Sequence, residues 1–195
     1  MATVRAYEDG GGFGSRFDQT LAAAKAGGDW AWGELYRGTA PMLARYLRAR
    51  RVPDVEDIVG ETFLRVVRHL DGFAGDEAAF RTWLFTIARH LVVDGVRRRE
   101  RRPADATPDQ TLQALGPVGN AEDEAIASIG VADVLGALAT LTDEQRDVVL
   151  LRVLADLSIA EVAQVLGRRE GAIKMLQSRG LATLRRTFPS GAVTS

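Results

Sequence analysis

Apolar residues recur at helical spacing along two long stretches of the chain, with an aperiodic stretch between them. The clearest run is Phe80, Trp83, Leu84, Ile87, Ala88 and Leu91, which falls on one stripe of a helix and predicts a core-facing surface. From about Phe17 to Arg101 the pattern breaks at Gly27-Gly28, around Val52-Pro53, and from Asp71-Gly72 through Gly75-Asp76, so four helices are predicted there. Pro103 to about Glu122 holds three prolines and little apolar periodicity, and reads as a linker.

Helical patterning returns from Ala125 to Phe188. Thr142 with Gln145, and Ser158 with Glu161, each match a capping box, in which a hydroxyl and a longer polar side chain satisfy backbone NH groups that a helix start leaves unpaired. Gly167 then separates a short helix, about Ile159 to Leu166, from a longer one, about Arg169 to Arg186, the spacing of a helix-turn-helix. The expected fold is all-α: two small helical domains joined by a flexible acidic linker, the second a helix-turn-helix. The corresponding boundaries are a tail over 1–16, a first domain over 17–102, a linker over 103–124, a second domain over 125–188, and a tail over 189–195.

Composition narrows the chemistry. No apolar run approaches the length of a membrane span, and the amino terminus lacks the apolar core and small-residue cleavage site of a secretion signal, so cytoplasmic residence without membrane insertion is expected. Cysteine is absent and His69 and His90 are the only imidazoles, which leaves no thiolate metal site and points away from a metalloenzyme; no cofactor is implied. Paired carboxylates such as Asp57 and Glu61 have no convergent base or phosphate-binding loop beside them, so an enzyme is not expected.

The net charge of -1 conceals a strong segregation. Arg81 to Arg102 carries seven arginines against Asp94 and Glu100; Pro103 to Gly130 carries five acids and no Lys or Arg; Gly167 to Arg186 carries six basic residues against Glu170. Two cationic surfaces are therefore joined by an acidic tether. In the last helix Ile173, Leu176, Gly180 and Leu184 form the packing stripe, with Gly180 permitting close approach of a neighbour. The opposite face presents Gly171, Lys174, Met175, Ser178 and Arg179, with Arg168 and Arg169 at the helix start. Such a helix can lie in the DNA major groove and read base edges, although a solvated face of a structural helix is also compatible with a basic helix alone.

Three blocks carry a resemblance. DVEDIVGETFLRVVRHLDGF (Asp54 to Phe73) resembles the polymerase-binding helix of sigma factors, FRTWLFTIARHLVVDGVRRR (Phe80 to Arg99) their promoter-melting helix, and Leu138 to Arg186 the domain that reads the minus-35 element. In order and together, they cover about three-quarters of the chain and resemble the compact two-domain, extracytoplasmic-function (ECF) type of the sigma-70 family. The resemblance implies a protein that docks on core RNA polymerase, through the clamp helices of the largest subunit and the flap, and directs it to promoter DNA. It also implies an anti-sigma factor as a controlling partner.

On that reading Asp54, Asp57, Glu61, Phe63, Leu64 and Arg65 form a mixed acidic and apolar surface for polymerase, although Asp54 and Asp57 also sit where carboxylates favour a helix dipole. Arg81, Phe85, Arg89 and His90, all off the apolar stripe, and Arg97 and Arg98 face the minus-10 DNA, while Trp83 is assigned to the core. The loop Gly72 to Ala79 is left to receive an unstacked base. Arg152, Arg168, Arg169, Lys174, Met175, Ser178 and Arg179 face the minus-35 duplex. The chain departs from the family at Gly60, where Gln is usual, and at His90, where Asn is common. The competing reading is a helix-turn-helix regulator that is not a polymerase subunit; no strand-borne phosphoacceptor site favours the response-regulator version of it. A purely structural adaptor would not need the two arginine-rich faces.

Overall fold

The computed structural model describes residue 13, residues 16–101 and residues 133–187, without the side chains of residues 97–101. The acidic linker and most of both tails lie outside the described residues. Within them every regular element is helical: α1 (Phe17–Lys25), α2 (Asp29–Ala49), α3 (Val55–His69), a 3-10 turn (Leu70–Gly72), α4 (Glu77–Arg101), α5 (133–139), α6 (Asp143–Val153), α7 (Ile159–Leu166) and α8 (Glu170–Thr187).

The first unit assembles from helices that each bury a stripe. On α1, Phe17, Leu21 and Ala24 face inward, and the chain turns at Gly27, whose φ of 83° is open to glycine at no steric cost. Pro41 removes one donor from the middle of α2 without ending it, because Leu35 and Ala40 before it and Leu43, Tyr46 and Leu47 after it are all buried. Val55, Val59, Phe63 and Val66 give α3 its inner stripe. Phe80, Leu84 and Ala88 of α4 are fully buried, with Trp83 and Ile87 packed half-buried beside them. Trp83 stacks on Phe73 at 5.1 Å, and Phe73 meets Phe80 edge-on at 5.6 Å, so the loop ahead of α4 is anchored by an aromatic cluster.

The expected amino-terminal tail is not free of the core at residue 13. Phe13 is buried edge-on against Phe17, and its NH donates to Glu77 Oε2 at 3.1 Å. Gly38 leaves the space for it: a Cβ there would lie 2.6 Å from the Phe13 ring. An aromatic in a Gly-rich setting gave no periodicity to read.

Both capping boxes of the second unit form. Gln145 NH donates to Thr142 Oγ1 at 3.3 Å and Glu161 NH to Ser158 Oγ at 3.2 Å, with the reciprocal bonds from the cap NH groups also made. Gly167 closes α7 with φ 63°. Ile173 of α8 is fully buried, and Gly180 lets α8 approach α6 until a Cβ would meet Val149 Cγ2 at 3.3 Å. Arg146 fastens α5 to α6 by donating to the carbonyls of Leu138 and Leu141 at 2.8 and 3.0 Å.

The two units are packed against each other. α4 lies between α3 and α7, α2 touches α6, and the buried residues of both halves form one continuous cluster. Sequence patterning predicted the two helical units but not this contact.

Candidate nucleic-acid and protein interfaces

On α8 the expected reading face is fully outward: Gly171, Lys174, Met175, Ser178 and Arg179 are all exposed, while Ile173 and Gly180 are buried on the packing side. Met175 and Arg179 line a shallow cleft with Ala172, Leu176, Arg168 and Glu144. Arg168 pairs across that cleft with Glu144, and Arg169 is exposed at the helix start. A phosphate entering the cleft competes with the Glu144 carboxylate for Arg168, which favours ligands that bring more than one anionic group.

Arg152 does not join this face. Its Nη1 donates to the Leu157 carbonyl in the turn between α6 and α7, and its half-buried stem lies along the unit. That carbonyl lies just ahead of the N-cap Ser158 of α7, so the structure shows Arg152 clasping the turn and not standing on the α8 face.

On α3, Asp57 is exposed, Glu61 accepts from Arg65 at 3.0 Å one turn on, and Leu64 projects into solvent at 52% exposure. Phe63 does not share that surface. It is buried and packs on Tyr36 at 4.7 Å, so its place among the polymerase contacts is corrected to the core. Asp54 is the N-cap of the helix, with φ 55° and no side-chain cap bond, which leaves the favourable position of its charge at the helix start. Glu56, two residues on in the first turn, is held below the usual carboxylate range by hydrogen bonds from its own backbone and from Arg48, which it pairs with at 2.7 Å. Val67 and Tyr36, not singled out from the sequence, extend the apolar part of this surface at 52% and 49% exposure.

The α4 face is mixed. His90 is exposed; Arg81 is largely covered and paired with Glu77 at 3.5 Å; the side chains of Arg97 and Arg98 lie outside the described residues. Phe85 is fully buried and meets Tyr46 edge-on at 5.3 Å. Its assignment to minus-10 DNA is therefore corrected: α7 covers the side of α4 that the single apolar stripe left open.

Beside Phe85 is a buried polar cluster that sequence reasoning missed. Tyr46 OH donates to Asp147 Oδ1 at 2.9 Å, and Arg50 Nε meets the same oxygen at 2.8 Å. Burial pushes the Asp147 carboxyl above its ordinary value, against the opposing pull of Arg50, the Tyr46 hydroxyl and Arg89. Burial, then the neighbouring Asp147 charge, raises the Tyr46 phenol well above its usual range. The only sequence signal for this cluster was one acid immediately before the apolar run Val148 to Leu151.

With this geometry in place, comparison with known proteins assigns the two units. The sigma-70 region 2 family model matches residues 35–102, and the sigma-70 region 4 model matches residues 132–184. The ECF RNA polymerase sigma factor BldN of Streptomyces coelicolor is 37% identical over 180 residues, covering 91% of this chain and 68% of BldN. The chain belongs to the ECF RNA polymerase sigma factors. SigD of Mycobacterium tuberculosis, of the same family, is 32% identical, with 88% of this sigma factor and 84% of SigD covered. The fold is shared with the sigma factor RpoE of Bartonella quintana, solved with the anti-sigma factor NepR, at TM-score 0.64 and 22% identity over 82% of this chain and 97% of that one. Region 2 of this sigma factor therefore spans α2 from Leu35 through α4, and region 4 spans α5 to α8, one on each side of the contact between the units. Among the described residues no helix is long and apolar enough to cross a membrane.

Proposed function

We propose that this sigma factor docks on core RNA polymerase through the outer face of α3, with Asp54, Asp57, Glu61, Leu64 and Arg65 against the clamp helices, and that its second unit meets the flap. Arg81, Arg89, His90, Arg97 and Arg98 serve the minus-10 DNA, and Arg168, Arg169, Lys174, Met175, Ser178 and Arg179 the minus-35 duplex. The action is assembly and not catalysis, in the cytoplasm, under an anti-sigma factor that covers these surfaces. The observation that carries the reading is the face of α8: Gly171, Lys174, Ser178 and Arg179 outward together with the apolar Met175, opposite a stripe that seats Ile173 and Gly180. Its support from α3 is the combination of an exposed Leu64 with the Glu61–Arg65 pair, an apolar contact ringed by charge.

Changing Asp57 and Glu61 together to Lys tests the docking face. Both side chains point away from the core, so helicity is retained while co-purification with core polymerase is lost and promoter-specific transcription in vitro falls with it. Retained co-purification would remove polymerase from the α3 face.

A further inference from the structure

We propose that Lys25 is a positioning residue for the loop ahead of α4, and that its ammonium group sets how strictly the minus-10 bases are selected. The inference rests on the assignment of the first unit to minus-10 DNA, with the loop Gly72 to Ala79 receiving an unstacked base. Lys25 closes α1, ahead of residues 35–102 that the region 2 model matches. From there its Nζ donates to the Phe73 carbonyl at 2.6 Å and to the Asp71 carbonyl at 3.4 Å.

A cation in the last turn of a helix is favoured by the helix dipole whatever else it touches. Lys25 does more than that, because its two acceptors belong to another element, 46 and 48 residues along the chain. Hydrogen bonds from a charged donor are stronger than neutral ones, and two from one ammonium fix the direction of the backbone between 71 and 73. That backbone carries the Phe73 ring, which stacks on Trp83 at 5.1 Å with 16° between the planes. Phe73 is therefore held twice, by its carbonyl and by its side chain.

The far end of the loop is seated on α4. Asp76 Oδ1 accepts from the Ala79 NH at 2.8 Å, and the Phe80 NH donates to the Asp76 carbonyl at 2.9 Å. Gly75 has φ 154°, and a Cβ there would lie 2.7 Å from Ala79 Cβ, so the chain passes too close to α4 for a side chain. Between the two anchorages Ala74, Gly75 and Asp76 are all exposed. A loop fixed at both ends and open in the middle meets a base already ordered. Freeing the Lys25 end moves the cost of ordering to the moment of binding and lets the loop adapt to wrong bases as well as to the right one.

Two measurements on the full-length protein test this. Hydrogen exchange without polymerase reads the clasp. The Phe73 NH, which donates to the Leu70 carbonyl at 2.9 Å, exchanges faster in Lys25→Met than in the parent, while the Phe80 NH on the α4 side does not. Competition binding by the holoenzyme reads the consequence, with single-stranded minus-10 DNA from a promoter it transcribes and the same strand with each base replaced in turn. Lys25→Met weakens the native strand more than the altered ones, so discrimination falls by about threefold to tenfold, the worth of one or two exposed hydrogen bonds. Lys25→Arg, which keeps a cationic donor, retains most of the discrimination, and the choice of minus-35 duplex is the same in all three proteins.

Unchanged exchange at Phe73 overturns the clasp. Faster exchange with discrimination unchanged, or with native and altered strands weakened in equal proportion, overturns the role in base selection and leaves Lys25 a structural tether. A parent holoenzyme that does not distinguish the strands removes the minus-10 assignment and the selection role with it, a failure that the exchange rates tell apart from failure of the clasp.

Discussion

Two helices of similar appearance in the sequence, α4 and α8, have opposite environments in the structure. Each is rich in arginine, carries one obvious apolar stripe, and was expected to present its other side to DNA. On α8 the exposure this requires is found at every residue assigned to the reading face. On α4 it fails at Phe85, because α3 and α7 cover the helix from two sides. A stripe analysis finds the stronger of two buried faces and assigns the remainder to solvent. It works for a helix at the edge of a unit and misleads for one sandwiched between units.

The sharpest way to break this comparison is at Phe85 itself. If it is core, Phe85→Ala removes a fully buried ring and destabilises the protein by about 3–5 kcal/mol, whereas His90→Ala on the exposed side stays within about 0.5 kcal/mol. Denaturant unfolding of the two variants side by side measures the difference. A Phe85→Ala protein as stable as the parent but defective in opening promoter DNA would return the residue to the DNA face.

What the sequence conveyed depended on whether the signal was local. Both capping boxes, the left-handed Gly167 and the close approach at Gly180 were all legible, because each is a statement about a few neighbouring residues. The helix boundaries of the first unit were legible for the same reason: Gly27 and the loop before α4 are local interruptions. The Tyr46, Arg50 and Asp147 cluster was not, since its partners are about a hundred residues apart and nothing near any of them implies the others. Phe63 was misplaced for a subtler reason. It neighbours the exposed Leu64, and its partner Tyr36 is on another helix. Arg152 was misplaced by resemblance, since the Leu157 carbonyl that takes it is visible only once the turn is folded.

Within the reading face of α8 the comparison can be sharpened between neighbours. Lys174 and Arg179 are both exposed, and Arg179 lines the cleft with Arg168; the proposal gives Lys174 a base contact and Arg179 a phosphate contact. Lys174→Ala should cost about 1–3 kcal/mol on the native minus-35 site and less on others, altering the sequences chosen in a selection from random duplexes by the holoenzyme. Arg179→Ala should weaken all duplexes alike and reduce the salt slope by about one. Identical selected sequences for the parent and Lys174→Ala would move Lys174 among the phosphate contacts.

Gly180 tests how tightly the buried side of α8 is seated. Its absent Cβ would lie 3.3 Å from Val149 Cγ2 and 3.4 Å from Gln145 Cβ, so the larger side chain of Gly180→Val forces α8 away from α6. The expected loss is about 1–3 kcal/mol in denaturant unfolding, by overpacking. Unchanged stability would mean that α8 can slide on α6, and the reading face would then lack the fixed register that base recognition needs.

The smallest expected effect lies on α3, at a glycine with the opposite surroundings. Gly60 is exposed in mid-helix, and nothing lies within 4 Å of where its Cβ would stand. Gly60→Ala therefore meets no obstacle and removes the backbone entropy that a helical glycine loses on folding, so stability should rise by up to about 1 kcal/mol. Because the same position lies on the exposed side of the helix that carries Asp57, Glu61 and Leu64, polymerase affinity is the informative second measurement. A methyl group that leaves affinity unchanged while raising stability places Gly60 outside the contact. Loss of affinity in the more stable protein would show that polymerase approaches α3 closely at this glycine, and the docking surface would then include the helix backbone as well as the carboxylates.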